Sequence, residues 1–208
     1  MQLLVFDSLF DFLLCLIGRV MGYSKVSKRS THDRIVSIAA KRFCELGVNG
    51  LSIASLMKEA GLTHGGFYKH FDSRDQLVVE AIEVALRRYH SSQSISHLSF
   101  GSVVAEYLSS SHRDSIGTGC PVAALMGDIS RQNSHVRDLY TQKLRAAIEN
   151  ISKLMKGAEG EDRLNAIVAC SVMVGALGLS RAVSDRVLSS EILVVVQEFL
   201  RRSFDPEF

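Results

Sequence analysis

A chain of 208 residues with 47% apolar and 22% charged residues and only two prolines is long enough for one large or two modest domains, each with a proper core. No run alternates polar and apolar residues as a half-buried strand would, so the composition points to an all-α protein. Four cysteines (Cys15, Cys44, Cys120, Cys170) stand far apart without a CxxC pair or ligand-spaced histidines; this argues against a structural zinc or a disulfide framework and for a reducing cytoplasm.

The first 24 residues form an apolar extension. Leu3 to Ile17 is too short to span a bilayer, carries Asp7 and Asp11, and lacks the basic flank of a secretory signal. An extension upstream of a start at Met21, an extra docked helix and a membrane-surface anchor all remain open for it. Ser30 or Thr31 is expected to cap a first helix running to about Leu46. Its inner face would be Ile35, Ile38, Ala39 and Phe43, and Gly47 would end it.

Ile53, Leu56, Met57 and Ala60 recur at i, i+3, i+4 and i+7 behind Ser52, a residue suited to an N-cap. Gly61 follows where a left-handed residue ends a helix at least cost. Thr63 would cap a second short helix with Phe67 and Phe71 on its inner face. Helix, glycine turn and helix within about twenty residues is the helix-turn-helix arrangement, whose second helix enters the DNA major groove.

That second helix contains Gly65 and Gly66 side by side, each costing roughly 1 kcal/mol against alanine in a helix interior. A helix serving only a core has no reason to carry that cost. Glycines admit a bulky neighbour, and Thr63, His64, Tyr68, Lys69 and His70 place donors around them, as phosphates and base edges require. Between Lys25 and His90 there are eleven Lys/Arg against seven Asp/Glu, whereas Ser91 to Phe208 has twelve against thirteen. The modest positive excess therefore sits on the segment that would meet phosphates.

The run Gly61-Leu62-Thr63-His64-Gly65-Gly66-Phe67-Tyr68-Lys69-His70-Phe71-Asp72-Ser73-Arg74-Asp75-Gln76-Leu77 resembles the signature of the TetR/AcrR family of transcriptional regulators. Arg34 to Gly47 is similar to that family's first helix. The likeness covers about residues 30 to 78, with Arg74 standing where the family usually has lysine. It implies a three-helix DNA-binding domain over residues 25–90 and a C-terminal effector-binding and dimerisation domain over 91–208. In that reading Ser52, Thr63, Tyr68, Lys69 and Arg74 hold phosphates. His64, Gly65 and Gly66 face base edges, with His70 beside them.

Asp72 or Ser73 is expected to cap the next helix, which runs to about Tyr89 with Leu77, Val78, Ala81, Ile82, Ala85, Leu86 and Tyr89 as its apolar stripe. Ser91 to Leu98 reads as a polar linker. Helical patterns follow at Ser99–Ser111, from Pro121 to about Arg131, at Val136–Lys156, at Arg163–Val183 and at Ser190–Phe204. Arg163 to Val183 is apolar nearly all round and rich in small residues, so it must be buried nearly all round. A second copy is a natural cover, with Ala169, Met173, Ala176, Ile192, Val196 and Phe199 as the expected interface. The family resemblance places dimerisation in the same two helices.

The resemblance also implies a small-molecule effector in the C-terminal half, for which Phe100, Tyr107, Cys120, Met126, Tyr140 and Met173 are candidate contacts. Aromatics and methionines at helical spacing equally describe plain core. Gly119-Cys120-Pro121 resembles a recurrent segment in one group of these regulators, and a cysteine just ahead of a helix N-terminus favours thiolate, so a thiol-reactive signal is a second option. Cys120 with His112 or His135 offers a nucleophile and base, but no orienting acid or cofactor loop accompanies them. No enzyme, cofactor or metal is expected. The expected partners are operator DNA and a second copy of the chain, and the rival reading is an architectural DNA-binding protein without an effector.

Overall fold

The computed structural model describes residues 28–91, 99–155 and 161–205, all helix and connecting loop, with no strand among them. The apolar extension over residues 1–24 and nearly all of the Ser91–Leu98 linker lie outside the described residues. Helix α1 covers residues 28–46, so Ser30 and Thr31 are already inside it and the expected cap lies too late. Gly47 ends it with φ +75°, a conformation that costs glycine little. Helix α2 (Ile53–Glu59) begins on Ser52, whose Oγ accepts from the Ser55 N–H at 3.1 Å. It closes with a Schellman motif: Leu62 N–H reaches Met57 O at 2.8 Å and Gly61 N–H reaches Lys58 O at 3.0 Å, with Gly61 at φ +70°.

The next element differs from expectation in kind. His64–Lys69 is a 3-10 helix, and Thr63 occupies its N-cap position without a side-chain hydrogen bond. Two adjacent glycines and a length of six residues give an α-helix little to propagate from, and the tighter turn suits short pieces. Helix α3 (Arg74–Ser91) is capped by Ser73, which accepts from Gln76 N–H at 3.1 Å, while Gln76 Oε1 accepts from Asp72 N–H at 2.8 Å. That reciprocal pair is a capping box displaced by one residue.

The expected helix from Ser99 to Ser111 is two: α4 (Phe100–Tyr107) and α5 (Ser110–Asp114). Ser109 breaks them by accepting from the His112 N–H at 3.1 Å, which starts a new turn. Helix α6 (Pro121–Ile129) opens on its proline, and Asn133 caps α7 (Ser134–Ser152). Helix α8 (Glu161–Ala182) is followed by α9 (Arg186–Phe204), which starts four residues before its expected position because Asp185 caps Val187 and Leu188.

Two buried clusters hold these helices together. The first joins α1, α2, the 3-10 helix and α3 to Cys120, Leu125 and Ile129 of the α6 region, Val136 of α7 and Leu177 of α8. Phe43, Phe67 and Phe71 are fully buried in it, and truncating a phenylalanine so placed costs about 3–5 kcal/mol. The second cluster packs Phe100 and Val104 of α4 and Ile151 of α7 against α8 and α9. Helix α8 is long and apolar enough by composition to cross a membrane, yet it packs between α7 and α9 as a bundle helix.

This packing corrects part of the expected dimer face. Ala169, Met173 and Ala176 point into their own chain's second cluster, on the helix that packs between α7 and α9. Ile192 and Val196 are half-buried against the same cluster, and Phe199 is 56% exposed. Exposed apolar residues on these helices include Leu164, Ile167, Val168 and Leu179 of α8 and Val187, Leu188, Val194, Val195 and Phe199 of α9.

Candidate nucleic-acid interface

Phe67 and Phe71 anchor the 3-10 helix from below, stacked at 5.2 Å between ring centroids. Their burial turns Thr63, His64, Gly65, Tyr68 and Lys69 outward, all five exposed, while Gly66 and His70 are half-buried. Tyr68 is 67% exposed and touches the edge of Phe67, so its ring rises from the surface. A Cβ at Gly65 would meet nothing within 4 Å, and one at Gly66 would make only ordinary contact with Met57 and Thr63. Neither glycine is demanded by the free fold. Ser52 is exposed at the start of α2, with its hydroxyl committed to Ser55.

Arg74 departs from the expected role. Its Nη2 donates to Val48 O at 2.7 Å and to Leu51 O at 3.1 Å, tying the start of α3 to the loop between α1 and α2. The guanidinium therefore orients the helix-turn-helix from within.

A second brace had no signal in the sequence. His32 of α1 stacks on Phe71 at 4.5 Å, and its Nδ1 lies 3.2 Å from His70 O at the end of the 3-10 helix. Its Nε2 sits 2.6 Å from Glu80 Oε2 on α3, and Gln76 Nε2 donates to the other oxygen of that carboxylate at 2.9 Å. Both of His32's partners are acceptors, so the two bonds coexist when both ring nitrogens carry protons. The partners stand 38 and 48 residues away, beyond any periodicity. His70 has its Nδ1 buried without a hydrogen-bond partner, and desolvation, with His32, Lys28 and Lys69 nearby, holds its pKa below the ordinary imidazole value.

The geometry is a rigid apolar foot under an exposed strip of donors, the form that positions a helix against a duplex. Residues 35–81 match the family model described as bacterial regulatory proteins, tetR family. The match takes in most of α1, all of α2 and the 3-10 helix, and the first turns of α3. No curated protein matches the sequence. Among solved structures, a TetR-family transcriptional regulator from Cytophaga hutchinsonii aligns with TM-score 0.69 at 17% identity, covering 86% of this chain and 97% of its own. A TetR transcriptional regulator from Chloroflexus aurantiacus aligns with TM-score 0.70 at 20% identity, covering 86% and 98%. The reduced form of E. coli NemR aligns with TM-score 0.68 at 19% identity, covering 84% and 97%. At these identities the likeness is one of fold: the chain has the all-α fold of a TetR-family transcriptional regulator with an N-terminal helix-turn-helix.

The six candidate effector contacts are distributed over the two clusters and the surface. Phe100 and Met173 belong to the second cluster and Cys120 to the first, while Met126 is 55% exposed. Tyr107 is half-buried where both clusters touch it, and Tyr140 donates its hydroxyl to Val122 O at 3.2 Å. None of the six lines the cleft between α3 and α7 or the two clefts along α1 and α3. Cys120 is 3% exposed, and its backbone N–H donates to His112 Nε2 at 2.9 Å. His112 Nδ1 lies 2.7 Å from Tyr107 O, which fixes a neutral ring with its proton on Nδ1. His112 is thus bonded to the Cys120 backbone, and His135 is exposed.

Proposed function

We propose that this TetR-like chain is a repressor that binds a palindromic operator as a homodimer and is released by a small-molecule effector. The domain division is residues 25–90 for DNA and 91–208 for pairing and sensing. The observation that carries the reading is the exposed, glycine-bearing 3-10 helix seated on Phe67 and Phe71 inside the tetR-family segment. His64, Gly65 and Gly66 are assigned to base edges. Tyr68, Lys69, Thr63 and Ser52 are assigned to phosphates, with Arg74 acting chiefly through the turn it holds.

Pairing is assigned to the outer stripes of α8 and α9. Leu164, Val168, Leu179, Val194, Val195 and Phe199 are all exposed in the single chain. A Cβ at Gly175 or Gly178 would meet nothing within 4 Å, so a partner helix can approach α8 there. Apolar area of this kind is unfavourable in water and supports burial against a second copy. Twofold pairing would set the two recognition helices about 34–36 Å apart, one turn of duplex. An effector lowers operator affinity only by binding better to a dimer that lacks this spacing. The burial of Cys120 favours a small molecule over a thiol-reactive signal, and a reducing cytoplasm is the proposed location.

Enrichment of random duplex DNA on the purified protein tests the reading. A twofold-symmetric motif is the expected outcome. Retention of duplex without any enriched motif would replace it with the architectural one.

A further inference from the structure

His112 of α5 stands between the body and the loop that leads into α6, and both of its ring nitrogens are engaged. Nδ1 donates at 2.7 Å to Tyr107 O, in the last turn of α4, and Nε2 accepts from Cys120 N–H at 2.9 Å. The ring meets Tyr107 edge-on at 4.8 Å. On its other side the loop backbone comes so close that a Cβ at Gly119 would lie 2.8 Å from the ring Cδ2 and 2.9 Å from Nε2. Glycine permits that approach.

The helix that carries His112 is braced from behind. Arg181 of α8 donates to the carbonyls of His112 and Arg113, at 2.8 and 2.9 Å, and Arg113 Nη1 donates to Ser189 Oγ of α9 at 3.1 Å. In front of the ring, residues 115–119 form a separate turn, closed by Thr118 N–H and Gly119 N–H onto Ser115 O at 3.3 and 2.7 Å. That turn rests on the DNA-binding helices: a Cβ at Gly117 would overlap Glu45 Oε1 of α1 and lie 2.8 Å from Lys41 Cγ. One imidazole therefore ties the braced body to the loop that touches α1.

We infer that His112 is a proton-operated latch: a proton taken up at Nε2 releases residues 115–120 from the ring, and with them the contact of the body on α1. The neutral ring serves both partners. The imidazolium sets its Nε2–H against the Cys120 N–H, donor to donor, while Nδ1–H keeps Tyr107 O. Around the ring, among the described residues, stand Glu106 and Tyr107 of α4, Arg181 of α8 and the Cys120 thiol, with Lys41 and Glu45 of α1 across the turn. Arg113 and Asp114, on its own helix, are paired at 2.9 Å. Burial and the Arg181 cation oppose charge on the ring, and Tyr107 O and Glu106 favour it; the net direction is below the ordinary imidazole value. The latch is thus closed at neutral pH and opens as pH falls. It acts between the body and α1 and does not depend on the operator reading.

Amide exchange and ring nitrogen shifts of the full-length isotope-labelled protein, followed without DNA between about pH 7.5 and 5.5, test the latch. Exchange is divided by the intrinsic rate at each pH. A released ring takes the ordinary value of about 6.5, so protection of the Cys120 N–H should fall by up to about tenfold over that interval. The His112 ring, the Cys120 N–H and the α1 amides of residues 41–47 should share one midpoint. His112→Asn should abolish the response at both places. Gly117→Ala, which props the turn off α1, should keep the response at Cys120 and remove it from residues 41–47. Protection at Cys120 that ignores pH, or an α1 midpoint different from that of the His112 ring, would overturn the inference on the unaltered protein. So would a response that survives His112→Asn, or one at residues 41–47 that survives Gly117→Ala. The operator reading would stand in every case, because no DNA enters the measurement.

Discussion

Gly65→Ala separates what the fold needs from what the duplex needs. In the free protein the added methyl meets nothing within 4 Å, and Gly65 does not have a positive φ, so alanine enters without strain. Removing glycine's backbone freedom from the unfolded chain then stabilises the protein by about 0.4–1 kcal/mol. For a chain of this size that is an increase in melting temperature of about 1–4 °C. Against DNA the same methyl occupies the space a base edge or sugar would fill. If Gly65 lies at the groove floor, loss of close contact should weaken operator binding about tenfold, or about 1.4 kcal/mol. Thermal unfolding and fluorescence anisotropy on an enriched duplex at matched salt read the two effects independently. A lower melting temperature would mean that the glycine serves the fold. Unchanged affinity would mean that the 3-10 helix does not meet the duplex where we place it.

Arg74→Ala removes a charge-assisted donor from the carbonyls of Val48 and Leu51, and should cost about 2 kcal/mol, or about 4–8 °C in melting temperature, with weaker DNA binding following from the loosened turn. Full stability with reduced binding would return Arg74 to a pure phosphate contact. Burial holds the His112 pKa below the ordinary imidazole value of about 6.5, so the unfolded chain takes up the proton first; stability is full above that value and falls as pH drops from it toward the lower folded value. Melting temperature should therefore decline between about pH 7.5 and 5.5, and His112→Asn should flatten that slope; parallel curves for the two proteins would refute the assignment. Phe199→Glu with Val195→Glu puts charge into the proposed pairing face, at side chains exposed in the single chain, and should yield folded monomers by light scattering. A dimer that survives both changes would place pairing elsewhere.

How much of this was legible depended on how far apart the interacting residues stand. Ser52, Gly61, Phe67 and Phe71 declare themselves through spacing and backbone preference within a few residues, and the structure puts each where that chemistry requires. Glycine pairing announced an unusual second helix but not its 3-10 geometry, which reflects how few residues are available to propagate a helix. His32 and Glu80, or Arg74 with Val48 and Leu51, are joined only by tertiary folding. A histidine in α1 carries no local mark of such a partner. On α8 the apolar pattern covers nearly the whole circumference, so spacing cannot distinguish the stripe facing α9 from the stripe facing outward. Choosing the small residues selected the inner one.

The continuous first cluster bears on how a signal could travel. Because Leu125 and Ile129 of α6 and Val136 of α7 share one core with Phe43, Phe67 and Phe71, the DNA-binding helices are packed onto the body over a broad apolar surface. A well-packed core of this kind resists gradual deformation and instead moves between discrete arrangements. Helix α3 packs on both α6 and α7, and the loop before α6 is pressed onto α1 at Gly117. A shift of α6 therefore reaches α1 directly as well as through α3. Two routes converging on the same three-helix unit favour its rotation as a block, with the Arg74 and His32 ties keeping its interior intact. In the proposed homodimeric repressor, the operator would then be released by a change in the separation of two unaltered reading helices.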